Sequence, residues 1–450
     1  MRILLVHNRY LHRGGEDAVF DEEAHMLATA GHAVRTHVRD NHDIAAMGAV
    51  RAGAASIWST ATYRNIRALI ADWAPDVVHV HNSFPLVSPA IYWAASHAGV
   101  PVVKTLHNFR LACLQGTFLR DGQACEDCLG KLPLKGVIKR CYRGSAAQSG
   151  VLAAGLVAHR LAGTYRSRIN RFIALDASSV PKFVAAGIPA ERIRIKPNCV
   201  AMPPVAPASQ RRGGLFVGRL SAEKGIPTLA AALMAARLPG FKVIGAGDLL
   251  PLLAGTGATL LGQCSPAAVY AQMAQASYLV LPSIGFEQFP RVVAEAFALG
   301  LPVIASRRGA LANLVQDGQT GLLWSPVTLP AWRPSCAGPT PSPKPCAPWA
   351  SAASKPTRPR WARKPTCSGC WRFTARRGLE GKAAGPQNCQ PLLHQILTCA
   401  GCISYDTVNA CLKSDKHRPI RTGSMHCEIV SQRLELTFEF AVWPSATLAM

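Results

Sequence analysis

The chain has 450 residues, of which 49% are hydrophobic, and it carries a formal net charge of +24. Its length allows two or three domains, and its charge favours anionic partners such as nucleotide diphosphates, a membrane surface or nucleic acid. No run of eighteen apolar residues occurs, and only Ile3 to Val6 follow Arg2 before polar residues return, so we expect neither a spanning helix nor a secretory signal. The chain is therefore expected to be cytoplasmic, with its fifteen cysteines reduced.

The first predicted unit is a strand, a loop and a helix. Arg2 to His7 form a compact apolar strand, and a helix is expected from about Ala18 to Ala30. The loop between them contains Gly14 and Gly15, whose backbone N–H groups can approach an anion or a sugar closely. A plain tight turn is the alternative interpretation of this glycine pair.

Two further predicted strands end in histidines. His79 and His81 close one strand, and His107 follows the strand Val100 to Thr105. Because parallel strands deliver their carboxyl ends to one edge of a sheet, these imidazoles are candidates for a binding site. Lone histidines are more often structural, and we assign His79 and His81 a structural or acceptor-side role.

Four cysteines occur in a predicted insertion that spans residues 111–145. Cys125 and Cys128 form a C-x2-C pair, flanked by Cys113 and Cys141 with eleven and twelve residues in between. Four thiolates match a structural zinc site in number, although the spacing only partly resembles a zinc ribbon. Buried free thiols are the alternative, and disulfides fit poorly with a cytosolic chain.

A proline-rich stretch separates two candidate domains. We expect an N-terminal domain over residues 1–196, with Ser178 or Ser179 capping its last helix. Residues 197–212 would be the linker, and residues 213–326 the second domain.

The second domain opens with a strand that ends in a cationic turn. Gly214 to Val217 lead into Arg219 and Lys224, and a helix is expected from Pro227 to Ala236. A diphosphate at such a turn would meet both cations and the N–H groups of the helix start. Two solvated surface cations are the alternative interpretation.

The pattern of residues 278–306 predicts a strand, a loop, a helix and a second strand, with Pro290 at the first helical position. The loop holds Glu287, and Glu295 follows on the helix after seven residues. Carboxylates near a helix start can accept hydrogen bonds from sugar hydroxyls. Spacing alone would favour two solvated glutamates.

The sequence around these residues resembles that of a known family. E-x7-E lies within G-F-E-Q-F-P and is followed by A-L-G-L-P-V-I-A-S, while G-R-L-S-x-E-K-G and T-L-H-N-F-R precede it. Together these motifs resemble family 4 retaining glycosyltransferases over residues 1–325. The resemblance implies an α/β fold of GT-B type, with two Rossmann-like domains whose parallel sheets face a cleft. Some members of that family share the cysteine-bearing insertion.

The resemblance also implies roles for individual residues. Catalysis would involve His107, which orients the transferred sugar, and Glu287, which grips its hydroxyls. The donor would be bound by Gly14, Gly15, Arg219, Lys224, Glu287, Phe289 and Glu295. Arg219 and Lys224 would hold the diphosphate, and Glu295 would accept bonds from the ribose. Charge neutralisation by these cations could replace a catalytic metal, so we expect no cofactor for catalysis.

Partners follow from the same resemblance. We expect a nucleotide-sugar donor and a glycan or lipid-linked saccharide acceptor, with peripheral contact at the cytoplasmic face of a membrane. A basic nucleic-acid-binding protein is a second alternative to a transferase, beside the inactive relic described below. It is disfavoured because the chain lacks aromatic stacking motifs and a concentrated basic helix.

The tail, residues 327–450, matches nothing in the family. Eleven prolines lie within residues 326–365, and no helical or strand period survives there. We expect this tail to be disordered, and our hypothesis is that it is read out of frame. The alternative to an active enzyme is therefore a truncated or frameshifted relic that retains at most nucleotide binding. An open reading frame in another phase around codon 326 would test this hypothesis.

Overall fold

A computed structural model of the protein describes residues 1–200 and 210–325. The described residues form two parallel six-stranded α/β sheets, one in each half. This arrangement confirms the predicted fold class. The expectations for residues 327–450, and for most of the linker, lie outside the described residues.

The first half, residues 1–200, is built on a central sheet with helices on both faces. Its strands are β1 (Arg2–Arg9), β2 (Ala33–Asp40), β3 (Val77–Val80), β4 (Val102–Leu106), β5 (Leu119–Arg120), β6 (Gln123–Ala124), β7 (Arg171–Ala174) and β8 (Ile193–Ile195). Its helices are α1 (Gly15–Thr29), α2 (Asp43–Met47), α3 (Ala49–Ile57), α4 (Thr60–Trp73), α5 (Ala90–His97), α6 (Leu134–Ile138), α7 (Ala146–Leu161), α8 (Thr164–Ser167) and α9 (Val180–Ala185). Strands β5 and β6 form a separate antiparallel hairpin.

The second half, residues 210–325, repeats this plan. Its strands are β9 (Gly214–Val217), β10 (Lys242–Ile244), β11 (Thr259–Leu260), β12 (Tyr278–Leu281), β13 (Val303–Ser306) and β14 (Gly321–Trp324). Its helices are α10 (Ile226–Ala236), α11 (Pro266–Gln275), α12 (Arg291–Ala298) and α13 (Leu311–Leu314). The predicted linker, residues 197–212, falls between the two sheets, and its role as a domain boundary stays a prediction.

Each sheet has a topological switch point, where the order in which strands are added to the sheet reverses. The orders are β2-β1-β3-β4-β7-β8 and β11-β10-β9-β12-β13-β14, and every pairing within them is parallel. The chain passes from the first strand of each half to one side of it and later to the other side. Strand β1 therefore lies between β2 and β3, and β9 lies between β10 and β12. Ligands of open α/β sheets bind outside the carboxyl ends of strands at such points.

Strand β1 shows why both faces of a sheet are covered. Successive side chains of a strand point to opposite faces. Ile3 and Leu5 pack with Phe20 of α1, whereas Leu4 and Val6 join the core beneath α5. Because both faces are buried, the strand reads as a continuous apolar run rather than an alternating one.

Two local predictions were wrong. Ser179 is the residue before α9, but its side chain accepts no capping hydrogen bond; the carboxylate of Asp176 instead caps the preceding turn by accepting from the backbone N–H of Ser178 at 2.8 Å. Pro290 is the residue before α12 rather than its first helical residue, because its ψ of 111° is extended. Among the described residues, no helix is long and apolar enough to cross a membrane.

Candidate active site

The turn after β9 lies directly against the loop after β12. Gly225, with φ +75°, ends a short 3-10 turn over Ala222–Lys224 and precedes α10. A Cβ atom at this position would lie 1.8 Å from the carbonyl oxygen of Pro282. Only glycine allows both this backbone conformation and this approach. The position of Lys224 beside the loop of Glu287 therefore depends on Gly225.

Lys224 and Glu287 form an ion pair. The Lys224 Nζ atom lies 2.6 Å from Oε1 of Glu287, and the hydroxyl of Ser283 donates to the same oxygen at 2.8 Å. The carbonyl oxygen of Glu287 accepts from the N–H of Ala310 at 3.0 Å, next to Gly309, where a Cβ would come within 2.8 Å of that oxygen. The structure thus brings together the predicted diphosphate cation and the predicted sugar-binding carboxylate.

Arg219 forms its ion pair with Glu223 of the same turn. Its side chain is 68% exposed, and it contacts Glu223 at 2.9 Å. Burial acts to raise the pKa of Glu223, but the hydroxyl of Ser221 and the Arg219 guanidinium outweigh it and hold that pKa below its usual value. A long exposed side chain at this turn is free to reorient toward an anion.

Arg291 links the two halves beside Glu295. Its Nη2 atom lies 2.6 Å from Oε1 of Glu22 on α1 and 3.3 Å from Oε1 of Glu295 on α12. Burial raises the pKa of Glu295, although Arg291 opposes that shift. Sequence reasoning missed Arg291, and the available signal was its i, i+4 spacing to Glu295.

The glycine loop reaches the same neighbourhood. A Cβ on Gly15 would lie 3.7 Å from Cδ of Arg291, so the start of α1 adjoins the start of α12. Gly14 caps α1, and its N–H donates to the carboxylate of Asp17 at 2.8 Å. The sequence predicts that the N–H groups at this helix start approach a bound anion. In the structure the Asp17 carboxylate already accepts from the N–H of Gly14 there.

Phe289 is half-buried, and Phe286 makes the aromatic contacts of this loop. The Phe286 ring lies edge-on to Phe109 and Phe118, with ring centres 6.5 and 6.3 Å apart, and Lys182 Nζ lies 4.2 Å above it. Its N–H also donates to the carbonyl of Thr117 at 3.4 Å. Sequence reasoning missed Phe286, which seats the Glu287 loop on the first half.

His107 lies at the carboxyl end of β4 in a buried polar network. Its Nε2 atom is 3.0 Å from Nδ1 of His81, and Lys104 Nζ donates to the backbone carbonyl of His81 at 2.8 Å. Burial, together with nearby Lys104, lowers the pKa of His107 well below its usual value. Burial also lowers the pKa of Lys104 to about 8. The His107 imidazole is therefore neutral at physiological pH.

Comparisons with known proteins agree with this geometry. The family profile described as "Glycosyl transferase 4-like domain" matches residues 14–199, and the one described as "Glycosyl transferases group 1" matches residues 211–332. Over these residues the chain belongs to the family 4 glycosyltransferases. The family recognised from sequence motifs is thereby confirmed.

Individual relatives of this chain are distant. A phosphatidyl-myo-inositol mannosyltransferase from Mycobacterium leprae is 26% identical over 59% of this chain and 64% of its own length. A D-inositol 3-phosphate glycosyltransferase from an Arthrobacter species is 28% identical over 55% of this chain and 58% of its own length. The chain thus spans about three fifths of the length of these curated relatives.

A solved structure supports the fold. Sucrose-phosphate synthase from Thermosynechococcus elongatus superimposes with a TM-score of 0.50 at 19% identity, over 72% of this chain and 86% of that chain. This likeness concerns the fold alone, and it agrees with the GT-B architecture.

A second buried polar group, near His107, has the composition of a metal site. Within the described residues, Glu23, His79 and His81 offer three ligand atoms within 4.8 Å of one another. Lys196 Nζ already lies 3.1 Å from Oε2 of Glu23, and His79 is hydrogen-bonded to Thr105 at 2.8 Å. Because the lysine supplies the positive charge that this carboxylate requires, we interpret the group as a structural ion-pair network.

The four cysteines of the insertion share one cavity. Cys113, Cys125, Cys128 and Cys141 are all reduced and half-buried, and all line a cavity with Leu114 and Phe118. Burial raises the pKa of the Cys128 and Cys141 thiols. In the described part of the chain, the four sulfurs surround the cavity but are not as close together as the ligand atoms of Glu23, His79 and His81, which lie within 4.8 Å of one another.

Proposed function

We propose that the protein transfers a sugar from a nucleoside-diphosphate donor to a glycan or lipid-linked saccharide, with retention of anomeric configuration. The contact between Lys224 and Glu287 carries this proposal. It joins a cation suited to a diphosphate to a carboxylate suited to sugar hydroxyls, at the carboxyl ends of β9 and β12.

Departure of the nucleoside diphosphate is the step that needs charge stabilisation. The bond between the anomeric carbon and the diphosphate oxygen breaks, and negative charge develops on the leaving group. Lys224 would turn from Glu287 toward this charge, and the exposed Arg219 side chain would fold over it. Fixed cations in a partly buried site stabilise such charge more than water does.

The sugar would lie between Glu287 and His107. Glu287 would accept hydrogen bonds from the sugar hydroxyls, while the neutral His107 imidazole would position the ring without adding positive charge beside the anomeric carbon. The acceptor oxygen would form its new bond on the face that the diphosphate leaves. Its proton would pass to the departing diphosphate.

An exposed apolar surface favours an acceptor at a membrane. Leu132, Leu134 and Ile138 are 60%, 62% and 78% exposed. Exposed cations surround them at Lys131, Lys135, Lys139, Arg140 and Arg143. This pairing of apolar and basic side chains suits an anionic lipid surface. The Mycobacterium leprae relative carries a phosphatidyl lipid in its name, which agrees with such an acceptor.

Vesicle co-sedimentation tests this surface. The protein should pellet with phosphatidylglycerol vesicles, and a Leu134→Ser/Ile138→Ser variant should remain in the supernatant. Met234→Ser, at a 62% exposed apolar residue of the other half, is the matched control. Equal pelleting of all three proteins would reject the surface.

Transfer itself is tested with the full 450-residue chain and a panel of UDP- and GDP-sugars. We expect acceptor-dependent release of one nucleotide, and NMR of the product should show the donor's anomeric configuration. An inverted product would contradict retention. Calorimetric binding of nucleotide without turnover on any acceptor would favour the inactive relic.

A further inference from the structure

We propose that Cys113, Cys125, Cys128 and Cys141 bind one structural zinc ion. The four side chains come from separate pieces of chain: the loop after β4, the residue after β6, the segment that leads to α6 and the turn after α6. They nevertheless line a single cavity. This convergence across 29 residues is the observation that carries the proposal.

The local fold needs a cross-link. The insertion contains two strands of two residues each and a helix of five, which is too little regular structure to hold itself together. Its buried apolar side chains include Leu114, Phe118 and Leu119. Small substructures with so little core are commonly held by a metal or by disulfides, and all four cysteines here are reduced.

Zinc is the metal that suits these ligands. Four thiolates at about 2.3 Å form the tetrahedral Cys₄ arrangement of closed structural zinc sites. Four thiolates and one Zn²⁺ leave two negative charges, and Arg120 lines the same cavity and can offset part of them. Binding would draw the sulfurs inward and release their thiol protons to solvent.

Such a site would stabilise the part of the first half against which the Glu287 loop packs. Thr117 and Phe118, which contact Phe286, lie between the first and second cysteines of the set. Zinc would therefore anchor the surface on which Phe286 rests. The zinc site itself does not depend on the proposed transferase activity.

Elemental analysis of the full chain, purified under reducing conditions without added metal, is the first test. We expect about one zinc per chain. A Cys125→Ser/Cys128→Ser variant should lose the metal. A Cys199→Ser/Cys264→Ser variant is the matched control and should keep it, because these two reduced, half-buried cysteines lie outside the cavity.

If the serine variants fail to fold, cobalt substitution of the wild-type chain tests whether the four cysteines bind a metal ion. Chelated, reduced wild-type chain titrated with Co²⁺ should develop thiolate-to-cobalt charge-transfer absorption that saturates at one equivalent. Added Zn²⁺ should abolish that absorption. A folded chain that contains no zinc and gives no cobalt absorption would overturn the proposal, as would iron in place of zinc.

Discussion

Lys224 and Glu287, 63 residues apart in the chain, form a contact of 2.6 Å between the turn after β9 and the loop after β12. Their side chains are 23% and 15% exposed, so the pair is largely shielded from solvent. In the proposed reaction a diphosphate replaces Glu287 as the partner of Lys224. The pair thus holds both side chains near their working positions before the donor binds.

Lys224→Ala should weaken nucleotide binding by about 1.5–3 kcal/mol, the scale of a charge-assisted hydrogen bond. Calorimetry with UDP and GDP measures this change. Lys242→Ala is the matched control, because Lys242 is hydrogen-bonded to Gln272 at 2.8 Å in the same half and away from the loop. Unchanged affinity in a folded Lys224→Ala variant would remove Lys224 from the site.

Gly225→Ala should destabilise the protein more than Gly318→Ala. Both glycines have φ +75°, so both substitutions carry the left-handed backbone penalty of about 1–2 kcal/mol. An added Cβ meets Pro282 at position 225 and open space at position 318. Overpacking should add about 1–3 kcal/mol at position 225 alone. Urea unfolding measures the difference, and equal losses would contradict the close approach.

Arg291 and Glu22 should be energetically coupled across the two halves. Their side chains are 11% and 24% exposed, whereas those of Arg35 and Asp72, which also pair at 2.8 Å, are 49% and 71% exposed. A double-mutant cycle of Arg291→Met and Glu22→Gln should give a coupling of about 1–3 kcal/mol. The corresponding cycle at Arg35 and Asp72 should give about 0–1 kcal/mol. Similar couplings for both pairs would mean that Arg291 does not join the halves.

Stability should fall on acidification because of buried histidines. Burial lowers the pKa of His79 from 6.5 to about 4, against the opposing effect of Glu23 and with Lys196 and Lys104 adding to the shift. Between those pH values the unfolded chain binds more protons than the folded one, so the free energy of unfolding decreases as pH falls through this window. For His79 the full loss is about 3 kcal/mol, since each unit of pKa change corresponds to about 1.4 kcal/mol.

The variant His79→Gln should show a smaller loss of stability between pH 6.5 and pH 4 than the wild type. Urea unfolding at several pH values measures it. His25→Gln, at a solvent-exposed residue of α1, is the control and should keep the wild-type pH dependence. A wild-type slope in His79→Gln would show that this imidazole is not the titrating group.

Local sequence determined the secondary-structure elements and the class of ligand to be expected. Strand–loop–helix units were readable because apolar runs, glycines and prolines act within a few residues of where they stand. The span of β1, α1, α10 and β12 therefore agrees with prediction to within a few residues. The motifs also indicated the family. Arg219, Lys224, Glu287 and Glu295 belong to short motifs within one half, so they could be recognised without the fold.

Tertiary structure alone decided which of these residues meet. The partners Glu22 and Arg291 are 269 residues apart, and Asp176 contacts Asn313 across 137 residues at 2.9 Å. No local pattern encodes such pairs, because they follow from strand order and from the packing of one half on the other. Phe286, Arg291 and Gly309 were missed for that reason. Their roles depend on neighbours that only the folded chain supplies.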